Sequence, residues 1–189
     1  MRPPGRRRGG GPVTAETLRD QALRYLARFS SSAANLRRVL RRKVERSAEL
    51  YGTDRDAGLA EVERLVTRLT ASGAVDDGRF AEGRAASLFR RGASRRAIAA
   101  TLAAKGVDGA QIETALAGLG ELAADPELAA AVAYARRRRI GPWRAGDARV
   151  AWRGKDLAAL ARAGFALGIA RRVIEADSAE ALLAEAEGG

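Results

Sequence analysis

The chain has 189 residues, is 47% hydrophobic and carries a formal net charge of +11, with no histidine and no cysteine; its isoelectric point is near 11.2. That length allows one or two ordinary domains with a packed core, and the missing residue types exclude thiol nucleophiles, disulfides, zinc fingers, imidazole acid–base chemistry and Ser-His-Asp triads. No apolar run is long enough for a transmembrane helix, and no apolar stretch follows the basic N-terminus as a secretory signal requires, so a cytoplasmic location is the default.

Residues 1–12 hold Gly, Pro and Arg with nothing to bury, and read as a disordered basic tail. Beyond them the chain reads as helices, with almost no strand alternation. Thr14 caps a first helix with Leu18, Ala22, Tyr25, Leu26 and Phe29 at helical spacing. Ser31 or Ser32 caps a second, whose apolar face is Leu36, Val39, Leu40 and Val44. After a polar loop around Gly52 to Asp56, Leu59, Val62, Leu65, Val66 and Leu69 mark a third, which Gly73 ends.

The pattern then restarts. Asp76 or Asp77 caps a helix with Phe80, Ala81, Ala85, Leu88 and Phe89, closed by Gly92. Ser94 caps a helix with Ile98 and Leu102 that ends near Lys105-Gly106. Asp108 with Gln111 resembles a capping box ahead of Ile112, Ala115, Leu116 and Leu119. A third set opens at Asp125-Pro126, a cap followed by Pro at the first helical position. Its first helix carries Leu128, Val132 and Ala135, runs into Arg136 to Arg139 and stops at Gly141-Pro142. A second helix covers about Lys155 to Ala163 with Leu157 and Leu160 buried, and a third starts near Gly168 with Ile169, Val173 and Ile174 inward. The final Ala- and Glu-rich residues extend that helix or fray.

The periodicity is that of an internal repeat. Leu102-Ala-Ala-Lys105-Gly106-Val107 precedes Ala115-Leu116, and Leu160-Ala-Arg162-Ala-Gly164-Phe165 precedes Val173-Ile174. In both, nine positions separate the apolar residue after Gly from the last Leu or Ile. The expected fold is all-α, with nine main helices in three tandem three-helix, helix-turn-helix-like repeats at 13–75, 76–124 and 125–189. Tandem units of that size share interfaces and form an elongated, curved body.

No active site is legible. Asp76-Asp77 is the most conspicuous carboxylate pair, but its place at a helix start is that of a cap. No GxxxxGK[ST] run supports a P-loop, and the serines have no histidine to activate them. No enzyme activity, cofactor or metal is expected. The bases are better organised: 31 of the 34 are Arg, which binds phosphate and carboxylate bidentately. An acidic partner is expected, either nucleic acid or the acidic face of a protein. The candidate contact residues are Arg37, Arg38, Arg41, Arg42 and Lys43; Arg90, Arg91, Arg95, Arg96 and Lys105; and Arg136, Arg137, Arg138, Arg139, Arg144, Arg153, Arg162, Arg171 and Arg172. If the repeats stack regularly they form one stripe that a phosphate backbone follows; the plainer reading is three separate solvated faces. Trp143 and Trp152, inside the most basic segment, either stack on bases or serve as partly buried packing.

The ordered motifs resemble the RecX family. Leu23-Arg-Tyr25-Leu26-Ala-Arg28 resembles its opening, and Val75-Asp76-Asp77-Gly78-Arg79-Phe80-Ala81 its most recognisable motif. Leu102-Ala-Ala-Lys105-Gly106-Val107, Arg162-Ala-Gly164-Phe165 and Arg171-Arg172-Val173-Ile174 resemble its later segments. The resemblance implies a non-enzymatic modulator of RecA, the ATP-dependent recombinase that coats single-stranded DNA, lying along the filament groove and inhibiting it. It also implies tandem three-helix repeats, with Asp76, Asp77, Phe80 and Gly106 as fold determinants. The free protein is expected to be a monomer with no membrane attachment. The competing readings are a helix-turn-helix DNA-binding protein acting without a recombinase and a magnesium nuclease, for which no clustered carboxylates are present.

Overall fold

The computed structural model describes residues 11–188. The expected tail therefore lies, through residue 10, outside the described residues. The described chain is all-helical, with ten α-helices, two short 3-10 turns and no strand. Between Asp77 and Gly78 it divides into two compact units.

The first unit contains α1 (Ala15–Leu26), α2 (Ala33–Tyr51) and α3 (Arg55–Ala71). Thr14, Ser32 and Asp54 start them by accepting hydrogen bonds from free N–H groups of the first turns. Leu36, Leu40 and Val44 stack along one side of α2. There they meet Leu18 and Ala22 of α1, and Val62, Leu65 and Val66 of α3, in one buried core. Phe29 does not join it. α1 ends at Leu26, so Phe29 falls beyond the helical register; it rests on the Tyr25 ring at 5.2 Å and stays 56% exposed.

A buried polar cluster holds the start of α2. Asn35 donates to the Tyr25 hydroxyl at 3.0 Å and to Ser31 Oγ at 2.8 Å, while Ser32 caps the Asn35 N–H. The N–H of Ala33 donates to Asp77 Oδ1 at 2.7 Å, across 44 positions of sequence. Asp77, read from the sequence as a cap for its own helix, thus caps α2. The reason is electrostatic: the first turn of α2 has no acidic residue, and Asp77 brings a carboxylate to its positive end.

The second unit holds α4 (Asp77–Arg90, apart from its first residue), α5 (Arg95–Ala103), α6 (Gly109–Ala117), α7 (Pro126–Arg138), α8 (Ala148–Ala163), α9 (Leu167–Glu175) and α10 (Ala179–Gly188). Its core is continuous through all of them. Phe80 and Phe89 come from α4, Ile98 and Leu102 from α5, Ile112 and Leu116 from α6, Leu128 and Val132 from α7, Leu160 from α8, Val173 and Ile174 from α9, and Leu182 from α10. Each such side chain contributes ~1.5–3 kcal/mol when fully buried.

The repeated Leu…Gly-apolar segments have one backbone explanation. Val107 N–H donates to Leu102 C=O and Gly106 N–H to Ala103 C=O; Phe165 N–H donates to Leu160 C=O and Gly164 N–H to Ala161 C=O. Both are Schellman endings, with glycine in the left-handed region and the next apolar residue folded back into the core. Gly164 has a second duty: an added Cβ would sit 2.5 Å from Ser94 Oγ, whose hydroxyl donates to Ala163 C=O.

Two boundaries differ from expectation. α8 begins at Ala148, seven residues before Lys155, because Arg149 anchors its first turn by donating to the C=O groups of Ile174, Ala176 and Asp177 behind α9. The C-terminal residues neither prolong α9 nor fray, which makes ten helices where nine were expected. The chain breaks at Ala176-Asp177, Ser178 caps the Ala181 N–H, and α10 buries Leu182 and Ala186 in the core.

Candidate partner-binding surface

The basic side chains sort into those committed inside a unit and those left facing outward. In the first unit Arg37 is half-buried and donates to Glu63 of α3 at 2.8 Å, so it flanks the α2–α3 contact and does not join the outer face of α2. Arg38 is exposed and donates to Asn35 Oδ1; Arg42 is exposed and leans on the Arg38 C=O. Arg41 and Lys43 are exposed, with no ion pair to a described side chain.

In the second unit the most basic segment is largely turned to structure. Arg144 donates twice to buried Asp156, at 2.9 and 2.7 Å, while the Gly141 N–H holds the same carboxylate. Those hydrogen bonds raise the Arg144 pKa above its usual value. Arg153 pairs with Glu175, and Arg172 bridges Glu185 of α10 and Asp125, the cap of α7. Hydrogen bonding to Glu185 is the larger cause of the raised Arg172 pKa. Arg95 donates to Leu116 C=O behind α6, and Lys105 is half-buried. Arg137 and Arg138 lie over the Tyr134 ring at 6.0 and 5.7 Å. Arg90, Arg91, Arg96, Arg136, Arg139, Arg162 and Arg171 are exposed and make no ion pair to a described side chain.

Four of the expected contact residues converge. Arg90 at the end of α4 and Arg136, Arg137 and Arg139 at the end of α7 rim a cleft of about 770 Å³. Its lining includes Leu122, Ala123, Ala129, Val132 and Ala133, with Leu183 and Ala186 from α10. Arg139 holds the rim in an uncommon conformation, φ +53°, because it ends α7 in the left-handed region usually left to glycine. The apolar lining was not legible in sequence. Its only signal was an out-of-place leucine, Leu122, which is half-exposed after α6.

The two tryptophans part company. Trp143 packs partly buried against the second core, whereas Trp152 is 44% exposed, with the Arg144 guanidinium and the Lys155 ammonium over its ring at 4.9 and 4.2 Å. Among the described residues no acidic group clusters in a way that would hold a metal ion. None of the described helices is long and apolar enough to cross a membrane.

A family model described as RecX, second three-helix domain, matches residues 76–116, which span α4 to α6. The chain is 38% identical over 182 residues to the regulatory protein RecX of Myxococcus xanthus, covering 93% of this chain and 96% of that relative. It is 34% identical to the regulatory protein RecX of Agrobacterium fabrum, over 86% and 84% of the two chains. With the regulatory protein RecX of Mycobacterium marinum it shares 37% identity, over 89% and 91%. No solved structure gives a significant match. Similarity at this level along nearly the whole chain, with the Asp-Asp…Phe-Ala motif and both Leu…Gly endings in their structural places, means that the chain belongs to the RecX family of regulatory proteins.

Proposed function

We propose that this chain regulates the RecA recombinase by binding its filament on single-stranded DNA, lowering ATP hydrolysis and strand exchange and so restraining recombination and repair. The observation that carries the reading is the set of exposed arginines and lysines that make no ion pair to a described side chain, present in every helical segment expected as a repeat: Arg41 and Lys43, then Arg90, Arg91 and Arg96, then Arg136, Arg139, Arg162 and Arg171. A single exposed pair contributes only ~0–1 kcal/mol. Many such groups on successive units suit an extended acidic partner, where long-range attraction speeds encounter and makes it salt-dependent. In this reading α1 to α9 form three three-helix repeats with α10 as an extension, the protein acts without catalysis or cofactor, and it works in the cytoplasm as a monomer.

The test is ATP hydrolysis by the cognate recombinase on single-stranded DNA, titrated with this protein. Falling turnover, weaker at higher salt, is expected. Unchanged turnover together with tight, sequence-selective duplex binding would replace this reading with a helix-turn-helix DNA-binding protein.

A further inference from the structure

The arginine-rimmed cleft of the second unit has a character of its own. Its rim is cationic, from Arg90, Arg136, Arg137 and Arg139, and no acidic residue is among its described lining residues. Its floor is aliphatic, with Val132 and Leu183 among the lining residues, and it has room for several side chains. From these features we infer that the cleft binds a short acidic segment of a partner protein, in which an apolar side chain enters the floor while flanking carboxylates pair with the rim.

Guanidinium groups bind carboxylate and phosphate alike, so the floor decides between them. Single-stranded nucleic acid is held by aromatic faces on which bases stack. The one aromatic lining residue, Phe89, is only 8% exposed and belongs to the core. An aliphatic floor takes a leucine or valine side chain instead, and burying it removes apolar surface from water. Neither residues 1–12 nor the C-terminal helix suits the cleft. Residues 1–12 carry four arginines and no acid, which the rim repels, and the acidic C-terminal helix already forms one wall through Leu183 and Ala186.

The rim is also available. The end of α7 is the negative end of its helix dipole and favours cations nearby, which stabilises the guanidinium groups there. Arg90, Arg136 and Arg139 make no ion pair to a described side chain, so a carboxylate arriving from outside has no described acidic side chain to displace.

The experiment uses the full chain without recombinase or DNA, so its outcome is separable from that of the filament reading. The probe is a fluorescein-labelled heptapeptide alternating four aspartates with three leucines, followed by fluorescence anisotropy. It should bind at least about tenfold tighter than hepta-aspartate, a margin of about 1.4 kcal/mol. Arg136→Glu with Arg139→Glu, and separately Ala133→Trp to fill the floor, should each weaken it by about tenfold or more. Arg19→Glu, an exposed position in the first unit, should change nothing. The rim residues are exposed, so their variants fold; circular dichroism verifies this for Ala133→Trp. Equal binding of hepta-aspartate would overturn the inference, as would indifference to the rim variants. Two further outcomes would also overturn it: rim-dependent binding of oligothymidylate in place of the peptide, or rim-dependent self-association seen by sedimentation, which would make a second copy the occupant.

Discussion

Replacing Asp77 by alanine removes a carboxylate that works far from its own place in sequence. In the folded first unit Asp77 Oδ1 accepts the Ala33 N–H at 2.7 Å, and Ala33 is 8% exposed, so water cannot readily take over the donor. Leaving a buried donor unpaired costs ~1–3 kcal/mol. Losing the negative charge at the positive end of α2 adds ~0.3–1 kcal/mol, because no acidic side chain in the first turn of α2 substitutes for it. Asp77→Ala should therefore lower stability by ~2 kcal/mol. Asp77→Asn keeps an acceptor oxygen and should lose ~0.5–1 kcal/mol, a difference that shrinks with added salt. Urea unfolding followed by circular dichroism measures both. Amide hydrogen exchange adds a local reading: the Ala33 amide should lose protection in Asp77→Ala while amides in the middle of α2 keep theirs until the whole unit opens. Stability within ~0.5 kcal/mol of the parent, the range of ordinary surface substitutions, together with unchanged Ala33 protection would refute the reasoning. Unchanged stability with lost recombinase inhibition would make the carboxylate a contact residue.

Glycine substitutions should separate by what surrounds the missing Cβ. Gly73→Ala meets open space at φ +72° and should cost ~1–2 kcal/mol, whereas Gly92→Ala, with the same φ but Tyr134 N at 2.4 Å, should cost at least ~3 kcal/mol in thermal unfolding. Asp156→Ala strands Arg144 and the Gly141 N–H, so Arg144→Met with Asp156→Leu should be more stable than Asp156→Ala alone; the reverse order in urea unfolding would deny the pair its structural role. Reversing charge at Arg41 and Lys43, at Arg90 and Arg91, or at Arg136 and Arg139 should each weaken recombinase inhibition partially, and two reversals together should nearly abolish it; total loss from one site alone would point to a compact contact. Affinity for unrelated single-stranded oligonucleotides should be weak and fall steeply as salt rises, through counterion release, while a flat salt profile would contradict a phosphate-contacting surface.

Short-range chemistry is readable from the order of the residues. Helix starts at Thr14, Ser94, Asp108 and Asp125 are capped by the side chains named from pattern alone, and of the two candidates Ser31 and Ser32 it is Ser32 that caps α2, because a cap and its N–H partner lie within two or three residues. The Leu…Gly-apolar endings are legible for the same reason: one left-handed glycine and two short-range hydrogen bonds make them. Leu36, Leu40 and Val44 of α2 and Val62, Leu65 and Val66 of α3 follow from helical period alone, whereas Val39, expected on the same face of α2, is only half-buried and is not among the core residues. The tertiary structure decided which bases remain outward. Arg144 and Arg162 look alike in sequence, yet Arg144 is locked to Asp156 twelve positions away and Arg162 faces solvent. Arg172 finds Asp125 across 47 positions and Asp77 finds Ala33 across 44. The cleft needs the ends of α4 and α7 beside α10, a helix adjacent to neither in chain order. A helical period states which way a residue points from its own axis; which other helix stands there is a matter of long-range packing, and that packing decides whether an arginine is a strut or a contact.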